Sequence, residues 1–437
     1  MRKRNQALAA DGAEAPSPRS SSMAQALAAF RQQQGALTEG ASGAIVPVTH
    51  GATAALVDDD GLVLPVLDYE YELPAAQNAH YAQVRPPYPA TYSPRLPAGL
   101  NLGRQLAWQA QAFPDQFRHA RHILMYPQYW AWRLCGVAAG EVTSLGCHTD
   151  LWQPARQQYS SLVERMGWND LFPPLQPAWA PLGPIKPELA TQTGLPPECR
   201  VLCGIHDSNA SLLRHLGGDE QQAPAILSTG TWVIAAAPGK QLDGLRERAD
   251  MLANSNALGQ AVACIRFMGG REFSEIAGAD AQLCSAEDLQ WLIAQRTMAL
   301  PCFSQAGGPF AGRTGSIAGP APQTGRQRYA LATLYCVLMS DYCLDQLGVD
   351  GAVVVEGSFT GNPWFAPLLA ALRPGRQVSS TDDASGTTCG GWMLHHWGSA
   401  PAVRSAVAEP LVLREWLEYR LGWLSTLTAL GSDPKGV

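Results

Sequence analysis

The chain has no apolar run of the about eighteen residues that a membrane-crossing helix needs, so no helical membrane span is expected. Charge is scarce and faintly negative: Lys, Arg, Asp and Glu together make up 16% of the residues, with a net charge of −6. That balance argues against a nucleic-acid partner, which would call for a basic face. The ten cysteines (135, 147, 199, 203, 264, 284, 302, 336, 343 and 389) include no Cys-x-x-Cys pair, which leaves zinc and redox motifs unsupported. No secretory apolar segment opens the sequence, and Asp11 and Glu14 speak against a transit peptide behind the basic start Met1-Arg2-Lys3-Arg4. Reduced thiols in a cytoplasm are the expectation.

What is present suits a globular enzyme. Hydrophobic residues make up 46% of a chain of 437, which exceeds one typical core, so two domains are expected. The 42 glycines and 33 prolines are spread along the sequence and imply many turns rather than a disordered chain. Only the opening, with Ala15-Pro16-Ser17-Pro18-Arg19-Ser20-Ser21-Ser22, reads as a tail by composition.

One stretch organises the rest. Val201-Leu202-Cys203-Gly204-Ile205 reads as a buried strand, followed by His206-Asp207-Ser208-Asn209 and a helical segment, Ala210 to Leu216. An Asp at the end of a strand and the mouth of a helix is where open α/β sheets place ligands. Downstream, Ala225 to Ala235 reads as two apolar strands joined by the hydroxyl-rich turn Ser228-Thr229-Gly230-Thr231, whose backbone N–H groups and hydroxyls could hold a phosphate. Taken alone, Asp207 suits a helix N-cap equally well, and the turn suits an ordinary hairpin. A base beside a phosphate loop points to ATP-dependent phosphorylation.

Along the chain, Met23 to Gln34 has helical spacing, and Ala44 to Val48 leads as a strand into Thr49-His50-Gly51. Asp58-Asp59-Asp60-Gly61 reads as a solvated hairpin turn, with strands on either side at Ala54–Val57 and Leu62–Leu67. Asp68 and Glu70 open a Tyr- and Pro-rich loop, and long loops in compact domains are often functional. Leu102–Ala112 and Phe117–Leu134 read as helices; Val142 to Trp152 is a polar segment, including His148, of a kind that suits a polyol. Asn254–Phe267 is strand-rich, Met268-Gly269-Gly270 leads into a helix, and a long amphipathic helix covers Gln327 to Leu347. A buried strand, Ala352–Val355, runs into Glu356-Gly357-Ser358-Phe359-Thr360-Gly361-Asn362 and a further helix; glycines there permit close backbone approach to a nucleotide. Ser385 to Gly391 opens a last helix rich in small residues.

In that order the pieces resemble the FGGY family of carbohydrate kinases. The resemblance runs from about Ile45 to His396 and rests on residues 204–210 (GIHDSNA), 228–232 (STGTW), 114–136 and 353–369. The His206-Asp207 pair looks most like the rhamnulokinase branch, and Thr49-His50-Gly51 is reminiscent of xylulokinases. The resemblance implies an α/β protein of two RNase H-like domains, of the sugar kinase/actin/Hsp70 superfamily. It implies an N-terminal sugar-binding domain over residues 23–218 and a C-terminal nucleotide-binding domain over 219–425, with tails at 1–22 and 426–437. Asp207 then stands as the general base, with His50, Asp68, Glu70, His148 and His206 as sugar contacts. Ser228, Thr229, Gly230, Thr231, Gly357, Gly361 and Asn362 stand as nucleotide contacts. The implied substrates are ATP with Mg²⁺ and a ketose or deoxyketose of the L-rhamnulose or L-fuculose class. No protein residue is singled out as a metal ligand, and a homodimer is compatible with the sequence.

One departure counters the match. Family members begin with a strand hairpin carrying Asp-x-Gly-x-Thr, and here Asp11-Gly12 lacks both the hydroxyl residue and the preceding strand. The N-terminal domain is therefore expected to be truncated. A catalytically weak or inactive sugar- or nucleotide-binding protein is the alternative, because phosphoryl transfer depends almost wholly on positioning and charge neutralisation.

Overall fold

The computed structural model describes residues 43–216, 223–304, 307–381, 386–398 and 405–429; the expected tail at 1–22 and the helix Met23–Gln34 lie outside them. The chain divides into two compact units, each containing segments distant in sequence. The first runs to Gly217 and takes in two later segments, Ala253–Ala261 and Ser385–Pro401; the second holds the remainder.

Nine short strands belong to the first unit: β1 (Ala44–Ile45), β2 (Val48–Thr49), β3 (Ala54–Val57), β4 (His122–Met125), β5 (Trp152–Gln153), β6 (Gln158–Tyr159), β7 (Pro181–Pro184), β8 (Arg200–Leu202) and β9 (Ile205–His206). β1 runs parallel to β8, and β2 runs parallel to β9 with Thr49 opposite His206. The residues after both strands, His50 and Asp207, therefore leave the sheet side by side. β3 and β4 pair antiparallel, and β3 is buried on every residue. The helix Leu102–Ala112 packs Leu102, Leu106 and Ala107 into a core with Leu56, Ile123, Leu151 and Trp168.

Two sequence expectations are corrected here. Phe117–Leu134 is not one helix: a helical turn at Pro114–Phe117 is followed by β4 and then the helix Tyr126–Cys135, with Pro127 in its first turn. Proline is pre-organised for a helix start, so Pro127 marks a boundary rather than an interior kink. Leu62–Leu67 forms no strand beyond a single bridge from Leu62 to Val57; Pro65 has no N–H to give a ladder.

The second unit is built on a seven-stranded sheet, ordered β12-β13-β11-β10-β16-β17-β18. Its strands are β10 (Ala225–Thr229), β11 (Val233–Pro238), β12 (Met251–Ser255), β13 (Ala261–Phe267), β16 (Val353–Gly357), β17 (Val378–Thr381) and β18 (Ser405–Val407); β14 (Met298–Leu300) and β15 (Ser316–Ala318) pair apart from it. β10 to β11 is the expected hairpin, with Ser228 opposite Ile234. β10 also runs parallel to β16, putting Thr229 opposite Gly357. The helix Gly325–Gln346 is buried on every residue from Ala330 to Asp341, so the expected amphipathic helix is corrected to one enclosed on all sides.

Candidate active site

In the first unit the site residues gather at the ends of β2 and β9. His206 ends β9 and is 6% exposed, while Asp207 opens the helix Asp207–Leu213 with its side chain 41% exposed. His206 Nε2 lies 3.3 Å from Asp207 Oδ1. Burial, and secondarily His50, holds the imidazole below its ordinary value against the opposing pull of Asp207. A neutral His206 protonated on Nε2 would donate to the carboxylate and orient it. Asp207 Oδ1 also accepts from Ser208 N–H at 2.6 Å.

The chain around His50 is fitted closely to this pair. A Cβ on Gly51 would fall 2.7 Å from His206 Nε2, so only glycine lets the two turns approach. Ala52 adopts φ 52°, a conformation that costs a non-glycine residue, and its carbonyl accepts from the buried Gln105 amide at 2.7 Å. His50 is exposed and stands between two rings: Tyr69 at 5.3 Å and Tyr126 at 5.0 Å. Sequence reasoning missed both tyrosines. Tyr69 sits between the two acids it nominated, and in a loop no periodicity says which of three neighbours turns inward.

The remaining nominated sugar contacts are placed less directly. Asp68 Oδ1 accepts from Glu70 N–H at 2.9 Å, a local turn, and Glu70 is exposed. His148, at φ 43°, has Nδ1 2.9 Å from the Leu100 carbonyl, and its own carbonyl accepts from Asn101 Nδ2 at 3.0 Å.

In the second unit the two nominated nucleotide segments meet at the ends of β10 and β16. Gly357 has φ 86°, and a Cβ there would fall 2.0 Å from the Thr229 carbonyl. The Thr229 hydroxyl donates to the Glu356 carbonyl at 2.6 Å and accepts from Phe359 N–H at 2.9 Å, locking the strand ends together. Thr229 therefore braces the loop from within, while Gly230, Thr231, Gly357, Ser358, Thr360 and Gly361 are exposed or half-exposed around it. Asn362 is buried and internally engaged: Nδ2 donates to Thr333 Oγ1 at 2.9 Å, and Oδ1 accepts from Trp364 N–H at 3.1 Å.

The turn itself is held from two further sides. A Cβ on Gly270 would fall 2.3 Å from the Gly230 carbonyl, so the helix Gly269–Ala277 begins hard against the turn. Arg266 lies over the Trp232 ring at 4.5 Å and forms a two-pronged pair with Asp250 at 3.1 Å. Asp250 also accepts from Gly308 N–H at 2.9 Å, tying in the chain around Gly307 and Gly308. No group of three or more potential ligand side chains that could hold a metal occurs among the described residues.

Comparison with known proteins identifies the family and the fold. The family described as carbohydrate kinase FGGY, C-terminal domain, matches residues 221–403. The crystal structure of a carbohydrate kinase from Novosphingobium aromaticivorans superposes with a TM-score of 0.85 at 35% identity, covering 93% of this chain and 90% of that one. A xylulose kinase from Rhodospirillum rubrum shares the fold, with a TM-score of 0.72 at 17% identity over 95% of this chain and 91% of that one. An L-fuculokinase from Salmonella typhi is 28% identical over 221 residues, which is 49% of this chain and 45% of that protein, so less than half of that relative's length is matched. The chain belongs to the FGGY family of carbohydrate kinases, and its fold is the α/β fold of the sugar kinase, actin and Hsp70 superfamily.

Proposed function

We propose that the protein is an ATP-dependent sugar kinase acting on a hydroxyl of a ketose or deoxyketose, with the L-rhamnulose and L-fuculose class first. The observation that carries this reading is the part-exposed Asp207 carboxylate, 3.3 Å from His206 Nε2 and set beside His50 by the β2–β9 register. A carboxylate so placed can take the proton of an attacking hydroxyl. The O–H bond of the sugar breaks, its oxygen bonds to the γ-phosphorus, and ADP leaves as the bridging P–O bond breaks. Tyr69 and Tyr126 offer ring faces suited to the C–H side of a sugar. The partial match to an L-fuculokinase supports the choice of sugar class.

On the nucleotide side, Gly230, Thr231, Gly357 and Gly361 would face the donor phosphates and nucleoside, where small residues allow backbone contact. Mg²⁺ bound with the nucleotide would supply charge neutralisation there. All ten cysteines are free thiols, which supports a cytoplasmic placement. Among the described residues no helix is long and apolar enough to cross a membrane.

The test is ATP consumption against a panel of ketoses, with Asp207→Asn as control. Sugar-dependent turnover that falls by about 10²–10⁴-fold in the variant supports the reading. The alternative reading is a sugar- or nucleotide-binding protein of little turnover. Saturable binding without turnover for any sugar would establish that second reading instead.

A further inference from the structure

Glu141 is a buried acid that the proposed chemistry does not use. It is 1% exposed and caps the four-residue helix Val142–Leu145, accepting from Thr143 N–H at 2.9 Å. Capping alone does not explain the choice. Ser, Thr, Asp and Asn fill that position better, and burying a carboxyl is costly.

A second contact from the same oxygen does explain it. The Thr143 hydroxyl donates to Glu141 Oε2 at 2.5 Å, and Thr143 Oγ1 in turn accepts from His206 N–H at 3.0 Å. A hydroxyl has one hydrogen to give. With that hydrogen committed to Glu141, its lone pairs are left for the His206 amide. The bond reaches across 63 positions of sequence to the residue that precedes the base.

The turn is pinned from other sides as well. Gln128 Nε2 donates to the carbonyls of Cys203 and Gly204 at 3.0 and 3.2 Å, and Ile205 N–H donates to the Pro47 carbonyl at 3.0 Å. Thr143 alone holds the amide immediately before Asp207. Glu141 Oε1 is buried with no hydrogen-bond partner, so the acid's evident task is at Oε2.

We propose that Glu141 and Thr143 are positioning residues for Asp207: the acid fixes the rotation of the Thr143 hydroxyl, which holds the His206 amide and so the turn from which the base projects. This rests on Asp207 being the base, so the test includes a readout independent of turnover. Full-length Thr143→Val and Glu141→Ala are compared with the conservative Thr143→Ser and Glu141→Gln, which keep a hydroxyl and a carbonyl acceptor. Residue-resolved hydrogen exchange at His206 should accelerate at least about tenfold in the first pair and stay near wild type in the second, with β3 and β4 as unchanged controls. On a sugar the wild type phosphorylates, the first pair should lose about 10–100-fold in kcat with KM within about threefold, and the second pair should recover it.

Exchange at His206 unchanged in Thr143→Val or Glu141→Ala overturns the proposal, as does a loss that the conservative variants fail to recover. If Thr143→Val does not fold, the Glu141→Ala and Glu141→Gln pair decides alone. If the wild type turns over no sugar, the kinase reading falls, and the exchange data still decide whether the relay holds the turn.

Discussion

Replacing Gly357 with alanine tests how the second unit makes its nucleotide segment. At φ 86° and ψ −153° an alanine is in a region open essentially to glycine, which costs roughly 1–3 kcal/mol. The new Cβ would also fall 2.0 Å from the Thr229 carbonyl, about 1 Å short of the 3.0 Å that real Cβ atoms keep. That oxygen belongs to strand backbone, so relief means parting β10 from β16, and forced overpacking of this kind adds roughly 1–3 kcal/mol. The sum is about 4 kcal/mol, concentrated where Thr229 clasps Glu356 and Phe359. Two other glycines give the contrast. A Cβ on Gly361 meets nothing within 4 Å, and one on Gly230 meets only the Trp232 carbonyl at 3.7 Å. Gly361→Ala and Gly230→Ala should therefore leave the fold intact and touch only a ligand that approaches the backbone. Hydrogen exchange of β10 and β16 and calorimetric titration with ATP read the two effects separately. The expected result is faster exchange and lost ATP binding in Gly357→Ala, with native exchange and at least about tenfold weaker ATP binding in the other two. Wild-type affinity in both Gly361→Ala and Gly230→Ala would refute the placing of a nucleotide there, and wild-type exchange in Gly357→Ala would refute the close-approach argument.

Burial raises Glu141 from an ordinary value of 4.5 to about 8, so the folded chain keeps a proton that the unfolded chain releases between those values. Its stability contribution is thus full below pH 4.5, falls as pH rises to about 8 and is flat above, a limit of about 5 kcal/mol across the window. Glu141→Gln should remove that slope, and denaturant unfolding of both proteins at about pH 5 and about pH 9 measures it; parallel slopes would show that the acid is not held neutral. In the second unit, Asp341 is 2% exposed and pairs with Arg373 at 3.0 Å and Arg420 at 2.5 Å, joining the helices Gly325–Gln346 and Trp416–Ala429. Asp341→Asn should cost about 1.5–3 kcal/mol in chemical denaturation, because two guanidinium groups lose a buried carboxylate while Asp345 still pairs with both.

Much of this arrangement was legible in the sequence wherever the signal was local. The hairpin of β10 and β11 and the strand at Val353 declare themselves through apolar runs and turn residues. Misreadings arose where a local signal admitted two meanings. The apolar run at Ile123-Leu124-Met125 fits helix or strand, and tertiary pairing with β3 decided for strand. Register was out of reach altogether. Nothing in the residues alone says that Thr49 pairs with His206 or Thr229 with Gly357, yet those pairings determine which nominated residues meet. Gln105 and Glu141 were missed for the same reason: a buried polar residue in an ordinary-looking element reveals its partner only in three dimensions.

The two units solve one mechanical problem in the same way. A parallel strand pair ends in a loop that must present polar groups while its own backbone stays fixed. In each case a glycine provides the clearance, Gly51 beneath His206 and Gly357 against Thr229. In each case a threonine hydroxyl donates to one oxygen and accepts a backbone N–H at the start of the loop: Thr143 between Glu141 and His206, Thr229 between Glu356 and Phe359. The hydroxyls that look most suited to a ligand are therefore not all available to one. Thr229, central to the phosphate-turn signature, braces the loop, so a phosphate held here would meet the exposed Thr231 and the backbone of Gly230. A Thr229→Val variant should consequently behave like a folding lesion, with β10 and β16 exchanging faster, whereas Thr231→Val should leave exchange unchanged and weaken ATP binding alone. Equal exchange in the two variants would contradict that division of labour.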